Sequence, residues 1–378
     1  MVSHSRSLYT SSAYLLVACT GILLCHDRSL AEPQNGIGAA LKAWRTQESL
    51  VQSATFSWTE SQTHSRGEVS NSHGAAGRLP PGAIIPPADV TYSVPKTLAF
   101  DHDKLRYTYE GKHWSPHTNG LVSDPYVSVF DGAISKIFQP PGAMPHPTGY
   151  VRPEKRNVDS QNLHTRPLLM RYRPFHPVMG ISKLTEFTLS AQPAMRGEGT
   201  YVALEHNDVA TGTGRMIWAD PEKGFAIVHY ATSRRGQAAV TTDIEYARNP
   251  SHEWVPSSWT IVQIDHAGMI TQSFSAKVST YDINPVIPVT AFQVVFPPGT
   301  RVSDMKDNVE YIVKDNDTKR LIPPEDIGAT YDQLLNSAPG AARHTTTHGS
   351  RTLWWVIGSI SAFLAISASW IWWRRHGA

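Results

Sequence analysis

The sequence predicts a mainly β protein of α+β class: a curved antiparallel sheet, or incomplete β-barrel, with one or two covering helices and a C-terminal transmembrane helix. Three observations lead there. Between Gly199 and Phe296 the chain is a succession of short apolar runs (TYVALEH, GRMIWA, GFAIVHYATS, AAVTTDIEYA, SSWTIVQID, GMITQSFSAKVS, VTAFQVVF) separated by turn residues. Runs rich in Val, Ile, Thr, Tyr and Trp and bounded by Gly, Pro, Asn and Asp are antiparallel strands in sequence-neighbour order. Several runs are apolar on both faces, as in WTIVQI (259–264) and FAIVHY (225–230). A sheet with one wet face would alternate apolar with polar, so the sheet is either covered on both sides or curled around something. Finally, LWWVIGSISAFLAISASWIWW (353–373) holds 21 residues without a charge, enough to cross about 30 Å of hydrocarbon as a helix.

The N-terminal residues 1–31 read as a secretory signal. Arg6 precedes the apolar run 13–25, and Ser29-Leu30-Ala31 provides a small-x-small cleavage site. Two alternatives stay open: lipidation at Cys19 after Leu16-Val17-Ala18, and an uncleaved anchor. At the other end, Trp354 and Trp355 on one side of the span and Trp370, Trp372 and Trp373 on the other form interfacial belts. Arg374 and Arg375 then place the tail 374–378 in the cytoplasm by the positive-inside rule. The expectation is a single-pass type I protein of a bacterial cell membrane, with residues 32–322 forming the main domain on the exported, periplasmic side and 323–352 a short helix and stalk.

Within the exported part, 37–53 has helical apolar spacing through Ile37, Leu41 and Trp44, and TFSWTE (55–60) alternates as a strand. Residues 64–90 and 139–157 read as long Pro-rich loops. Residues 96–114 and 127–138 read as hairpins, the second turning at Asp131-Gly132. The stretch 163–190 is ambiguous: helical turns broken at Pro167, Pro174 and Pro177, with a helix expected over 180–190. A last hairpin is expected at 310–322.

Charge and motifs exclude more than they assign. With net charge +2, 34 Lys and Arg against 32 Asp and Glu and no basic arm, nucleic acid is not an expected partner. Both cysteines, Cys19 and Cys25, fall within the leader, so a processed chain would have none and would rely on its core. There is no G-x-S-x-G, H-E-x-x-H or P-loop, and Gly212-x-Gly214 is a turn between strands. His113/His117 and His344/His348 are close pairs, but they lie in a loop and a polar stalk. The carboxylates Asp101, Asp103, Asp124, Asp131, Asp220, Asp243 and Asp265 fall mostly at turns, where Asp serves the backbone. No cofactor and no metal are expected, and the chain is not read as an enzyme.

Element order resembles the half-barrel proteins of the bacterial envelope, LolA, LolB and RseB, over residues 37–296. A Trp-containing helix leads into a strand of F-S-W type (Phe56, Trp58). A hairpin from Phe100 to Gly111, a V-F-D-G turn (Val129 to Gly132), a W-x-D turn (Trp218, Asp220) and W-x-P-S-S-W (Trp254 to Trp259) follow. The resemblance implies an incomplete barrel whose concave face takes acyl chains, with Phe56, Trp58, Tyr107, Tyr109, Trp218 and Trp259 as lining residues. Taken on their own, those aromatics read first as ordinary core and second as cavity lining. The Pro-rich loops, the extra hairpin and the span depart from the family, and a tethered chain cannot act as a free carrier. Three functions follow: a membrane-tethered binder of lipid or another apolar ligand, a sensor or interaction protein recognising an envelope protein, and, last, a hydrolase. A lipid-filled cavity would mark the first; an exposed apolar patch or a groove filled by its own side chains would mark the second.

Overall fold

In the computed structural model, residues 34–66, 86–115, 120–142, 145–153, 163–181, 183–190, 194–196, 199–249, 253–326 and 328–336 are described. The leader, the middle of the first Pro-rich loop and the 353–373 segment lie outside them. Among the described residues no helix is long and apolar enough to cross a membrane.

Helix α1 (Gln34–Leu50) precedes the strand on which the sheet is centred, β1 (Ser53–His64). A first meander follows: β2 (Val90–Asp101), β3 (Lys104–Ser115), β4 (Gly120–Phe130), β5 (Ile134–Gln139) and β6 (Thr148–Pro153). The chain then crosses the sheet through α2 (Arg166–Tyr172) and the short strands β7 (Thr188–Leu189) and β8 (Ala194–Arg196). The second meander is β9 (Gly199–Asp208), β10 (Thr213–Asp220), β11 (Ala226–Arg234), β12 (Gln237–Asn249), β13 (Glu253–Ile264) and β14 (Ile270–Ile283). The last elements are β15 (Arg301–Asp304), β16 (Val309–Val313), β17 (Lys319–Leu321) and α3 (Tyr331–Asn336).

The two meanders meet at β1, which pairs antiparallel with β2 on one side and β14 on the other. Phe56 therefore lies opposite both Leu98 and Tyr281. Every other pairing among the described strands is also antiparallel except β6–β15. The product is one large, open, curved sheet with few helices, as the two-sided apolar runs imply.

Period-two alternation selects the inner face. Ala54, Phe56 and Trp58 of β1 and Val94, Leu98 and Phe100 of β2 are buried, and their neighbours in sequence are more exposed. One apolar cluster joins all of these but Val94 to Ile217, Tyr230, Ile244, Trp259 and Ile261 of the second meander and to Trp44, Leu168 and Tyr172 of the helices. α2 is buried along its whole length and carries Pro167 in its first turn, where a missing N–H costs nothing. Tyr172 inserts between Phe56 and Phe100, at ring separations of 5.5 and 6.1 Å. Trp44 Nε1 donates to Phe225 O at 2.6 Å and so ties α1 to the second meander.

Two expectations give way. Part of the loop expected over 139–157 is β6, held by β5 on one side and β15 on the other. Its second partner lies about 150 residues downstream, beyond the reach of any local signal. The helix expected over 180–190 is a 3₁₀ turn (Leu184–Glu186) followed by β7, which pairs with β9. Lys183 adopts φ 60°, a left-handed conformation that ends helical propagation. The 310–322 hairpin forms as β16 and β17, with Tyr311 and Val313 packed on Val151, Phe296 and Val302.

Arg173 staples these parts together. Its guanidinium is buried, donates to Val51 O and Gln52 O at 2.5 Å each and to Tyr172 O at 2.8 Å, and sits 4.4 Å from the Phe100 ring centroid. Truncation by Arg173→Ala orphans three carbonyls, and we expect a loss of about 2–4 kcal/mol in urea unfolding with unchanged strand content by circular dichroism.

Candidate functional site

Among the described residues the inner face is mainly apolar, and a cluster of charged side chains interrupts it. Glu60 continues the inward parity of Phe56 and Trp58 along β1, and Lys96 continues that of Leu98 and Phe100 along β2. Both side chains are fully buried, with Lys96 Nζ 2.5 Å from Glu60 Oε1. Gln62 Nε2 donates to the same oxygen at 2.7 Å. His164, delivered by the crossover just before α2, places Nδ1 2.8 Å from it.

Aromatic rings wall this cluster. Tyr109 stacks on His164 at 6.3 Å and lies tilted by 49° against Tyr126 at 5.2 Å, and the Phe274 ring meets His164 edge-on at 4.9 Å. Lys96 Nζ also lies 4.8 Å from the Tyr109 ring centroid. His64 and Tyr92 stack beside them at 5.6 Å, with a 3.0 Å contact between Tyr92 Oη and His64 Nε2.

Burial and pairing act unequally on the two charges. Burial opposes ionisation of Glu60, but His164 and Lys96 outweigh it and hold the carboxyl down to about 2. Burial also dominates at Lys96, and its single carboxylate partner offsets it only in part, so the ammonium is pulled down to about 8. The asymmetry follows from the partners: three groups converge on Glu60 Oε1, and Lys96 has one. His164 is lowered by burial against the pull of Glu60. Burial, with neighbouring carboxylates, pushes the Tyr109 phenol up to about 12.

The six aromatics named from sequence divide between the faces. Phe56, Trp58, Tyr107 and Trp259 are buried in the central cluster, with Trp58 5.6 Å from Trp259 and 6.2 Å from Tyr107. Tyr109 is half-buried at the edge of the same cluster. Trp218 stands apart from it. Its neighbours Ile217 and Ala219 are fully buried, and its ring packs on Tyr201 and His229. Trp218 thus belongs to the opposite face of the sheet. Glu60, Lys96 and His164 went unnamed at the sequence level, although the parity of Glu60 with Phe56 and of Lys96 with Phe100 was readable. Among the described residues no group of His, Cys, Asp and Glu is arranged to hold a metal ion. Residues 117, 344 and 348, which complete the two histidine pairs, lie outside them.

No family model matches the sequence, and neither does any curated protein. Solved structures are similar at low identity. A DUF1329 family protein from Desulfovibrio piger is 10% identical, with a TM-score of 0.41, over 69% of this chain and 96% of its own. A LolA superfamily protein from Nitrosomonas europaea is 11% identical, with a TM-score of 0.40, over 68% and 97%. An uncharacterized conserved protein from Thermus thermophilus is 7% identical, with a TM-score of 0.29, over 71% and 98%.

Acid should find Glu60 first. A carboxyl held near 2 in the folded state, against 4.5 ordinarily, contributes stability that is present above pH 4.5 and lost as pH falls towards 2. Urea midpoints measured from pH 5 to 2 are expected to fall less steeply in Glu60→Gln than in the native chain. Lys96→Met, which leaves the carboxylate buried without its cation, should lose about 3–5 kcal/mol at pH 7.

Proposed function

We propose that the chain is a non-enzymatic protein of the bacterial cell envelope, tethered by its 353–373 segment, whose curved sheet binds a lipid or another apolar ligand on its inner face. The observation that carries this reading is the mismatch between the strands and their cover. β1 to β3 have 12 residues each and β14 has 14, so they extend about 40 Å or more. α1 has 17 residues and α2 has 7, or about 25 and 10 Å. Among the described residues these helices are too short to cover the whole inner face. They gather where Trp44, Phe56 and Tyr172 meet. Toward the other end the inward side chains Tyr109, Tyr126, Leu163 and Val240 are only half-buried. An amphiphile laid there would bury acyl surface against the rings and bring its polar end near the Glu60–Lys96 pair.

A second reading, recognition of a partner protein, draws on a different feature. The rings of Phe56, Trp58, Tyr107 and Trp259 fill their own part of the groove, while Val286, Val289, Val295, Met305 and Leu321 are exposed on the outside between residues 286 and 321. Side chains of this kind suit a protein interface.

The two separate by native mass spectrometry of the full chain released from detergent, with organic extraction of whatever accompanies it. The first reading expects close to one acyl lipid per chain, reduced by Tyr126→Asp. An apo mass that added phospholipid does not shift would move the assignment to protein recognition. Tethering is tested separately: removing 353–378 should free the protein from membranes, and retention would implicate the N-terminal anchor or a lipidated Cys19.

A further inference from the structure

The outer face of the second meander carries a different chemistry from the inner one. Trp218, His229, Asp243, Thr260 and Ser275 are directly opposed across five successive strands, β10 to β14, and so form one continuous row. Ser61 of β1 and Ser93 of β2 extend the row with two more hydroxyls. At its aromatic end Tyr201 stacks on Trp218, with ring centroids 6.2 Å apart and planes 16° from parallel, and Trp218 lies 4.4 Å from His229. Beside the row an open groove of 780 Å³ is lined by Tyr201, Asp243, Glu245, Ser258, Thr260 and Ser275. That volume lies within the roughly 300–1,000 Å³ typical of small-molecule sites.

The carboxylates in this groove are held in place. Asp243 Oδ1 is 2.9 Å from His229 Nδ1, and Glu245 Oε2 accepts from Ser258 Oγ at 2.6 Å. The lining cation, Lys223, is engaged with Asp220 and lies 5.6 Å from the Trp254 ring centroid. The groove therefore combines flat aromatic surface with oriented acceptors and hydroxyls, and its one lysine is already paired.

We infer that this groove binds a neutral, hydroxyl-rich saccharide. A pyranose presents an apolar C–H face that suits an aromatic ring and, around its rim, hydroxyls that donate to carboxylate oxygens. An anionic ligand would meet two carboxylates, and an acyl chain would strand the hydroxyl row without partners. The inference is independent of the inner-face reading. It concerns the opposite surface of the sheet and different polar residues, although Ile244 and Trp259 of the inner cluster also border the groove.

The test uses the full chain in lauryldimethylamine oxide, a detergent without a sugar headgroup, titrated with cellotetraose, chitotetraose and maltotetraose. Tryptophan fluorescence and calorimetry report binding. At least one of the three is expected to bind at millimolar concentration or tighter. Tyr201→Ala and Asp243→Asn, both in the lining of the groove, are each expected to weaken that binding about tenfold or more. Thr260→Ala and Glu245→Gln serve as second variants should either of the first lose its thermal transition, and Val209→Ser, on an exposed residue of the turn between β9 and β10 that does not line the groove, should bind as the native chain does. The inference is overturned if none of the three tetrasaccharides produces heat or a fluorescence change, or if binding survives the folded groove variants undiminished.

Discussion

Everything in the sheet depends on β1 having two partners from opposite ends of the chain. Its Phe56 lies against Leu98, in the strand that follows, and against Tyr281, more than 200 residues away. Without the β1–β14 pairing the two meanders would be separate sheets, each with an open edge and an unburied apolar face. With it, the inward residues of β1, β2, β13 and β14 share one core, and the crossover through α2 is confined to the inner face. The arrangement is kinetically demanding. Closing a pairing of such long range costs chain entropy before any contact repays it, so β1 must wait, partly satisfied by β2, until β14 has emerged.

The buried Glu60–Lys96 pair lies on this seam, since Glu60 faces Val94 across one ladder and Ala276 across the other. Two charges removed from water seldom add net stability relative to a well-packed apolar pair. They do penalise alternatives. A one-residue slip of β1 against β2 would turn Glu60 and Phe56 to the outer face and leave Lys96 buried without a carboxylate. His164 extends the same demand to the crossover, because it reaches Glu60 only when α2 is seated as observed. The cluster thus links strand register to helix docking.

The two faces of the second meander carry different side chains for a simple reason. Successive residues of a strand point opposite ways, so Ile217 and Trp218, or Ile261 and Thr260, are neighbours in sequence yet face separate environments. The inner face is mostly aliphatic and aromatic, with Thr242 and His206 among its buried residues. The outer row is aromatic at one end and hydroxyl-rich at the other. A bulge between Trp218 and Ala219 shifts the parity locally and leaves Val228 without a direct partner, which sharpens the local twist.

By itself the sequence determined the local elements and the curvature. Strand and turn residues marked both meanders, apolar runs on both faces required a sheet closed over cover, and the Trp44 helix was readable from its spacing. It also held the parity that puts Glu60 beside Phe56 and Trp58, because side-chain alternation is a local property. Only the tertiary structure decided which strands are neighbours. It made β6 a strand by supplying β15 as a partner, turned 184–189 from an expected helix into a 3₁₀ turn and strand against β9, and assigned Trp218 to the outer face. It alone brought His164 to Glu60, residues 104 positions apart. Pairings of this kind are set by hydrogen bonds and burial between segments distant in sequence, and no window of local composition contains them.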